Sequence, residues 1–293
     1  MSQTAKKVIL WVRRQGAWIR IGCFLVLLLV VWSPVAASVY WSRGWFYDSD
    51  TAEIVSLVLL YVGFLLGLPV WGSAIHGWGR PFNRCGLSLQ VQTLCDGLVA
   101  LVIGVLGVFS LFGLASLLGW ATPTPPSPRL ARFVVEGLIV ALAIGLAEEL
   151  LFRGWVLAEL EENYTSGAVL VMNALFFAGT HFIKPWSEIL RTLPQFLGLV
   201  VLGMALVWAR RSPTGKEKRT RLGYPIGLHA GLVWGYYIVN VGGLSAYTGR
   251  APAWVTGIDN NPLAGLLGVV LLGLIARQFA KTAQPKTQPD APT

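Results

Sequence analysis

Glu148, His181 and His229 have side chains that could activate a water molecule, and each lies within a predominantly apolar stretch of the sequence. Ionisable groups inside membrane helices cost about 2.5–3.5 kcal/mol on insertion scales, and they therefore mark candidate functional sites. A carboxylate can take a proton from water while imidazoles orient that water, which is general-base hydrolysis. The same three side chains are candidates to bind a divalent metal such as zinc. The residue types do not require a metal, and the choice stays open.

The two adjacent glutamates have different expected roles. Glu149 and Arg153 are spaced i, i+4 with the acid first, which is the favoured order for an ion pair on a helix. This pairing neutralises Arg153 and gives Glu149 a structural role. Neighbouring residues on a helix point about 100° apart, so Glu148 must find its partners on another helix. We therefore predict that Glu148 is catalytic and that Glu149 and Arg153 support it.

Each of these features also has a purely structural interpretation. A Glu–Arg pair within a membrane helix can serve packing specificity or transport, and a single intramembrane histidine can be a hydrogen-bonded packing residue. Phe177 lies one turn before His181 and is predicted to be a core residue that forms the wall beside it. Asp96 and Glu136 lie near the ends of apolar stretches, where they are expected to reach the membrane interface.

The composition excludes several classes of protein. The 293 residues are 55% hydrophobic and only 13% charged, about half the charged fraction of a typical soluble domain. This argues against a soluble enzyme, a disordered chain and a nucleic-acid binder. The three cysteines are widely spaced and form no CxxC pair, so they predict neither a disulfide framework nor a thiolate metal site.

Eight stretches are long and apolar enough to approach the ~20 residues that a membrane-spanning helix needs. They predict an all-α polytopic bundle of about eight transmembrane helices. The stretches are residues 21–39, 53–72, 92–119, 133–157, 166–182, 193–209, 223–244 and 262–280. Between them, residues 121–128 form an extended proline-rich connector and residues 209–221 a basic hydrophilic loop, while the tail from residue 282 is polar and predicted to be disordered.

Basic residues indicate the orientation of the chain. With the N-terminus inside, sixteen Lys and Arg residues fall on the inner side and six on the outer side, and Arg153 lies within a helix. This positive-inside bias predicts that both termini are cytoplasmic, and it accounts for the net charge of +9 without a nucleic-acid partner. Residues 1–37 also resemble a signal peptide, but we expect the first span to be retained.

Two motifs in these helices carry a family resemblance. Residues 148–153 read EELLFR and match EExxxR, residues 177–181 read FAGTH and match FxxxH, and His229 follows on a later span. With these motifs the chain resembles the CAAX prenyl protease and bacteriocin-processing (CPBP, or Abi) family over roughly residues 130–245. We accordingly divide the chain into N-terminal helices (1–130), a CPBP-like catalytic core (131–245) and a last helix with its polar tail (246–293).

The resemblance implies an eight-helix intramembrane endopeptidase that hydrolyses a membrane-associated or lipidated peptide. By the same resemblance, Glu148 is the general base, His181 is its partner in activating water, and His229 stabilises the oxyanion. Glu149 and Arg153 complete the first motif. The family is often labelled metallo, whereas water activated by a glutamate needs no metal.

The sequence departs from the family pattern at Val233, where an Asn or Asp is usual. Valine cannot donate a hydrogen bond to an oxyanion, and the loss of one such donor typically costs about 10²–10³ in rate. Trp234, Tyr236 and Tyr237 are candidate replacements for this donor.

The depths of the site residues along their spans do not agree. Counted at ~1.5 Å per residue along the predicted spans, Glu148, His181 and His229 lie at different depths in the membrane. We therefore expect span four to be shorter than residues 133–157, or span five to begin later than residue 166.

Two other functions remain open. The valine departure makes a non-catalytic membrane scaffold or immunity factor of the same fold credible. A proton-coupled transporter is the third alternative, although the sequence has no convincing repeated halves of the kind that many transporters show.

Overall fold

A computed structural model of the chain describes residues 2–43, 45, 48–215 and 219–284. Most of the predicted polar tail, from residue 285 onward, and residues 216–218 of the basic loop lie outside the described residues.

The described residues are mostly helical with very few in strands, which confirms the all-α class. The α-helices are α1 (Gln3–Arg13), α2 (Ala17–Ser42), α3 (Ser49–His76), α4 (Pro81–Arg84), α5 (Val91–Leu117), α6 (Leu130–Glu149), α7 (Leu157–Leu160), α8 (Ser166–Thr180), α9 (Trp186–Thr192), α10 (Gln195–Arg211), α11 (Gly223–Asn240), α12 (Ala253–Thr256) and α13 (Leu266–Thr282). A π-helical segment, Leu150–Val156, joins α6 to α7, and short 3₁₀ turns occupy Ile258–Asn260 and Pro262–Ala264.

Every predicted span falls on a helix, but the count of eight is not confirmed. Within the described residues, four helices are long and apolar enough to cross a membrane, namely α2, α3, α5 and the continuous helix over residues 130–160. The bent pair α9–α10, whose axes differ by 74°, would be a fifth span. Helix α8 is apolar but shorter.

Among the described residues, four short strands form two small antiparallel sheets. In the first, β1 (Ala121–Pro123) pairs with β4 (Ser245–Tyr247), and Thr122 lies opposite Ala246. The proline-rich connector is therefore extended as predicted, but its first residues form a hydrogen-bonded ladder. In the second, β2 (Pro213–Thr214) pairs with β3 (Arg219–Thr220).

The basic loop and Asp96 differ from expectation. Helix α10 continues through Arg211, which is buried and donates to the Ser166 carbonyl, and Arg221 is buried against Thr214. Parts of this basic segment are thus packed rather than hydrophilic loop. Asp96 is buried and accepts from Gln92 at 2.8 Å. The expectation that it is exposed at the interface is wrong, because the start of α11 packs over it: a Cβ at Gly223 would lie 2.9 Å from the Asp96 Cβ.

The chain divides into two compact units. The first comprises Met1–Cys85 and Ala158–Asn163, and the second comprises Gly86–Leu157 and Tyr164–Thr293. In the first unit the fully buried Glu159 accepts hydrogen bonds from Arg20 at 2.9 Å and Trp71 at 2.8 Å, and its Oε1 lies 2.8 Å from Nε2 of His76. A buried carboxylate needs such partners, and these contacts join α2, α3 and α7.

The second unit carries the three residues predicted to activate water. Its core packs α5 tightly against α11, and Gly104 and Gly231 permit the close approach: a Cβ at Gly104 would lie 2.7 Å from the Leu232 nitrogen, and one at Gly231 would overlap the Leu101 carbonyl. A contiguous apolar cluster that includes Phe152 and residues of α5, α8, α10, α11 and α13 fills the interior.

Candidate functional site

The predicted motif EExxxR spans a change of helix type. Glu148 and Glu149 are the last residues of α6, and Arg153 lies in the π-helical segment that follows. Such single π-helical insertions occur frequently at functional sites. The sequence pattern alone did not reveal this change, because apolar periodicity does not distinguish an α-turn from a π-turn.

Glu149 and Arg153 form the ion pair that their spacing predicts. Nη1 of Arg153 donates to Oε1 of Glu149 at 3.0 Å, and both side chains are fully buried. The same Oε1 atom lies 2.8 Å from Nδ1 of His229 on α11. Glu149 therefore contacts both a guanidinium and an imidazole, and its role extends beyond the pair.

The Arg153 guanidinium is held from several sides. Its Cζ lies 4.1 Å from the centre of the Phe177 ring, a cation–π distance, and Nη2 donates to the Gly203 carbonyl at 3.3 Å. Glycine is needed there because a Cβ at position 203 would lie 2.9 Å from the Ala174 Cα. Phe177 is fully buried and forms both this contact and the wall beside His181, as predicted from its position.

His181 immediately follows α8 as its C-cap. Its Nδ1 lies 2.8 Å from the Phe177 carbonyl oxygen, and its ring lies 4.7 Å from that phenyl ring, centre to centre. Because a carbonyl can only accept a hydrogen bond, we assign the hydrogen to Nδ1. In the neutral ring the other nitrogen, Nε2, then carries a lone pair.

Glu148 faces both histidines. Its Oε2 atom lies 3.9 Å from Nε2 of His181 and 4.0 Å from Nε2 of His229. This oxygen is buried and has no hydrogen-bond partner among the described residues. The Glu148 and His181 side chains are 31% and 34% exposed, whereas that of His229 is 7% exposed. The site is thus open on the side of the first two residues and closed behind the third.

The distances fit a shared water better than a zinc ion. Two ligands of tetrahedral zinc, each ~2.0–2.1 Å from the metal, lie about 3.4 Å apart, whereas Glu148 Oε2 is 3.9 and 4.0 Å from the two nitrogens. Two groups that each hydrogen-bond one water at ~2.8 Å lie roughly 4–4.5 Å apart. Over the described residues, no group of three or more His, Cys, Asp or Glu side chains is arranged to hold a metal ion.

Two of the candidate replacements for the missing donor at Val233 already form hydrogen bonds with other residues. Nε1 of Trp234 donates to the Val134 carbonyl at 2.8 Å. The Tyr236 hydroxyl accepts from Asn240 at 3.1 Å. The indole is therefore already engaged in joining α11 to α6.

The three site residues meet without the expected change of span. The helix containing Glu148 runs over residues 130–160 and is longer than the predicted span 133–157. Helix α8 begins at Ser166, where the fifth span was predicted to begin. The expectation of a shorter fourth span or a later fifth span is therefore wrong. The depth estimate assumed straight helices along the membrane normal, whereas membrane helices are commonly tilted.

Asn173 is a site residue that the sequence analysis missed. It is fully buried on α8, and Nδ2 donates to the Phe152 carbonyl of the π-helical segment at 2.8 Å. A polar side chain in the middle of an apolar helix was the available signal. By satisfying a carbonyl next to Arg153, Asn173 ties α8 to the segment that carries the ion pair.

Comparison with known families agrees with the motifs. Residues 130–242 match the family described as "Rce1-like: Type II CAAX prenyl endopeptidase Rce1-like", which confirms the resemblance. No curated protein and no solved structure matches the chain.

Proposed function

We propose, from the Rce1-like domain at residues 130–242, that this membrane protein is an intramembrane endopeptidase that hydrolyses a membrane-associated or lipidated peptide. The observation that carries the proposal is the position of Glu148 Oε2, 3.9 and 4.0 Å from two imidazole nitrogens on two other helices.

A water molecule held by Glu148 and His181 is the nucleophile. The Glu148 carboxylate and Nε2 of His181 are both hydrogen-bond acceptors, so each accepts from one O–H of the same water. Their 3.9 Å separation suits a water that bonds to both. The lone pairs of the oxygen then point away from the two acceptors, toward the exposed side of the site where a substrate carbonyl can approach.

His229 is the candidate for stabilising the oxyanion. Its Nδ1 faces the Glu149 carboxylate and its Nε2 faces the Glu148 carboxylate. The two glutamates and Arg153 together carry one unpaired negative charge, which a protonated His229 balances. The protonated ring donates at both edges, so Nε2–H can donate to an oxygen that becomes negative in the transition state.

The reaction is a balanced hydrolysis. The water oxygen attacks the substrate carbonyl carbon while one water proton moves to Glu148. The proton passes from Glu148 to the departing amide nitrogen as the C–N bond breaks. The products are a carboxyl group and a free amine, and the carboxylate of Glu148 is regenerated.

The topology forms part of the proposal. The basic residues are concentrated on the side of the predicted spans that carries both termini. Because the more basic side of a membrane protein is usually cytoplasmic, we expect both termini to be cytoplasmic. A substrate peptide would then meet the site from within or beside the membrane.

The test uses the full chain in lipid nanodiscs with a peptide that carries a prenylated cysteine near its C-terminus. Mass spectrometry identifies the cleavage products. We expect the wild-type protein to release the residues that follow the modified cysteine and the Glu148→Gln variant to release none. Binding of the peptide without hydrolysis by the wild type, unchanged in His181→Ala, would instead favour a non-catalytic scaffold.

A further inference from the structure

An apolar groove of about 930 Å³ runs between α2 and α3 in the first compact unit. Its walls include the outward-facing side chains of Val30, Leu66 and Val70. Along α2 the groove extends from residue 23 to residue 35, about 18 Å at the α-helical rise. This is close to the ~15 Å depth of one leaflet of the hydrocarbon core, so the groove suits a chain that enters from one face of the membrane.

One end of the groove carries a fixed cation. A second cavity of about 600 Å³ shares Ile9, Val70 and Ala74 with the groove and is also lined by Arg13 of α1. Nε of Arg13 donates to the Ala74 carbonyl at 2.8 Å, which orients the guanidinium. Its terminal nitrogens form no hydrogen bond with the described residues and remain available to a ligand.

Helix α1 adds further positive charge at the same end. Lys6 and Arg13 are seven residues apart and therefore point within about 20° of each other on the helix. Lys7 and Arg14 follow them on an adjoining face. No acidic residue precedes Asp48 in the sequence, so no acid in this part of the chain neutralises the basic helix.

Tryptophans indicate that this basic end lies at a membrane interface. Trp18, at the start of α2, and Trp41, at its end, are exposed, as are Trp11 of α1 and Trp45 just beyond α2. Trp18 and Trp41 are 23 residues apart, about 35 Å along a helix, which matches the hydrocarbon thickness between two aromatic belts. Helix α1 also exposes Val8, as an interfacial amphipathic helix does.

We propose that this unit binds an anionic phospholipid, with an acyl chain in the groove between α2 and α3 and the phosphate at Arg13 and Lys6. The apolar walls bury the acyl chain, and the basic residues at one end select the negative headgroup. A zwitterionic lipid such as phosphatidylcholine also offers a phosphate to the guanidinium, but the basic residues repel its choline cation, so its net attraction to this end of the groove is weaker. The site is distinct from Glu148 and its histidines, and it does not depend on the proposed peptidase activity.

The experiment is a lipid titration of the delipidated full chain followed by native mass spectrometry. The probes are phosphatidylglycerol and phosphatidylcholine with identical acyl chains. We expect the wild type to bind phosphatidylglycerol more tightly and the Lys6→Gln/Arg13→Gln variant to lose about 30-fold in affinity for it, the change that two surface cations produce at an anionic lipid. The Arg13→Lys variant keeps the charge and should retain most of the affinity.

Two further variants separate the contribution of the basic residues to lipid affinity from that of the apolar groove. Arg277→Gln/Lys281→Gln removes the same charge from α13, outside this unit, and should leave phosphatidylglycerol affinity unchanged. Val70→Trp should fill the junction of the two cavities and weaken the binding of both lipids; Val70 is 69% exposed, so the larger side chain has room. If the double variant at Lys6 and Arg13 fails to fold, Lys6→Gln and Val70→Trp carry the test.

Several results would overturn the proposal. They are equal affinity of the wild type for the two lipids, equal loss in the α13 control variant, and unchanged binding in Val70→Trp. A prenylated peptide that occupies the groove with an affinity insensitive to Lys6 and Arg13 would also exclude a phospholipid as the occupant.

Discussion

Oε1 of Glu149 lies 2.8 Å from Nδ1 of His229, while Oε2 of the adjacent Glu148 lies 4.0 Å from Nε2 of the same ring. Two consecutive residues of one helix thus face opposite edges of one imidazole. Glu149 fixes the orientation of the ring, because a buried N–H is strongly favoured to donate to a buried carboxylate. The ring orientation in turn presents Nε2 to the open side of the site, where Glu148 and His181 lie.

We predict that Glu149→Gln destabilises the protein. The substitution leaves the fully buried Arg153 without its charge partner and weakens the contact to His229, and breaking a buried pair typically costs about 3–5 kcal/mol. Thermal unfolding in detergent measures the loss. The Glu149→Gln/Arg153→Met double variant should recover part of it, since no unpaired charge is then left buried. A melting temperature equal to that of the wild type would refute the ion-pair account.

We predict that His181→Asn lowers activity without loss of stability. The asparagine Nδ2 can replace the histidine Nδ1 as donor to the Phe177 carbonyl, but no group then occupies the position of Nε2. Loss of one positioned acid–base group typically costs about 10²–10⁴ in rate. Cleavage rate and melting temperature are measured on the same preparation. A cleavage rate near that of the wild type would exclude His181 from the activation of water.

We predict that Asn173→Leu destabilises the fold by about 1–3 kcal/mol, because the buried Phe152 carbonyl loses its hydrogen-bond donor. The exposed Asn240, whose amide donates to Tyr236, provides the matched control, and Asn240→Leu should change stability by less than about 0.5 kcal/mol. Equal melting temperatures for the two variants would show that the Asn173 contact does not stabilise the π-helical segment.

The sequence predicted the parts of the site that depend on spacing along one helix. The Glu149–Arg153 pair followed from i, i+4 geometry, and the role of Phe177 as a wall beside His181 followed from their separation by one turn. Apolar runs located the helices, although their ends shifted: Leu130 and Leu160 bound a helix predicted to span residues 133–157. These features depend only on local periodicity, which a single sequence contains.

The features that were missed depend on contacts between helices. Nothing in the local sequence indicates that Glu149 faces His229 or that Asn173 caps a carbonyl of a different helix. Asp96 was expected at the interface from its distance to the helix end, yet the approach of α11 buries it. Nor does the local sequence indicate the three partners of Glu159, which lie 83 to 139 positions away along the chain.

The most direct test of the account compares Glu148→Gln with Glu136→Gln on the same helix. Both substitutions remove one carboxylate from α6, but Glu136 is at the surface beside Arg132. The measurement is the single-turnover rate of prenyl-peptide cleavage in nanodiscs. We predict that Glu136→Gln cleaves at the wild-type rate and that Glu148→Gln is slower by a factor of about 10² or more, since an amide cannot accept the proton of water. Equal cleavage rates for Glu148→Gln and the wild type would contradict the assignment of Glu148 as the base.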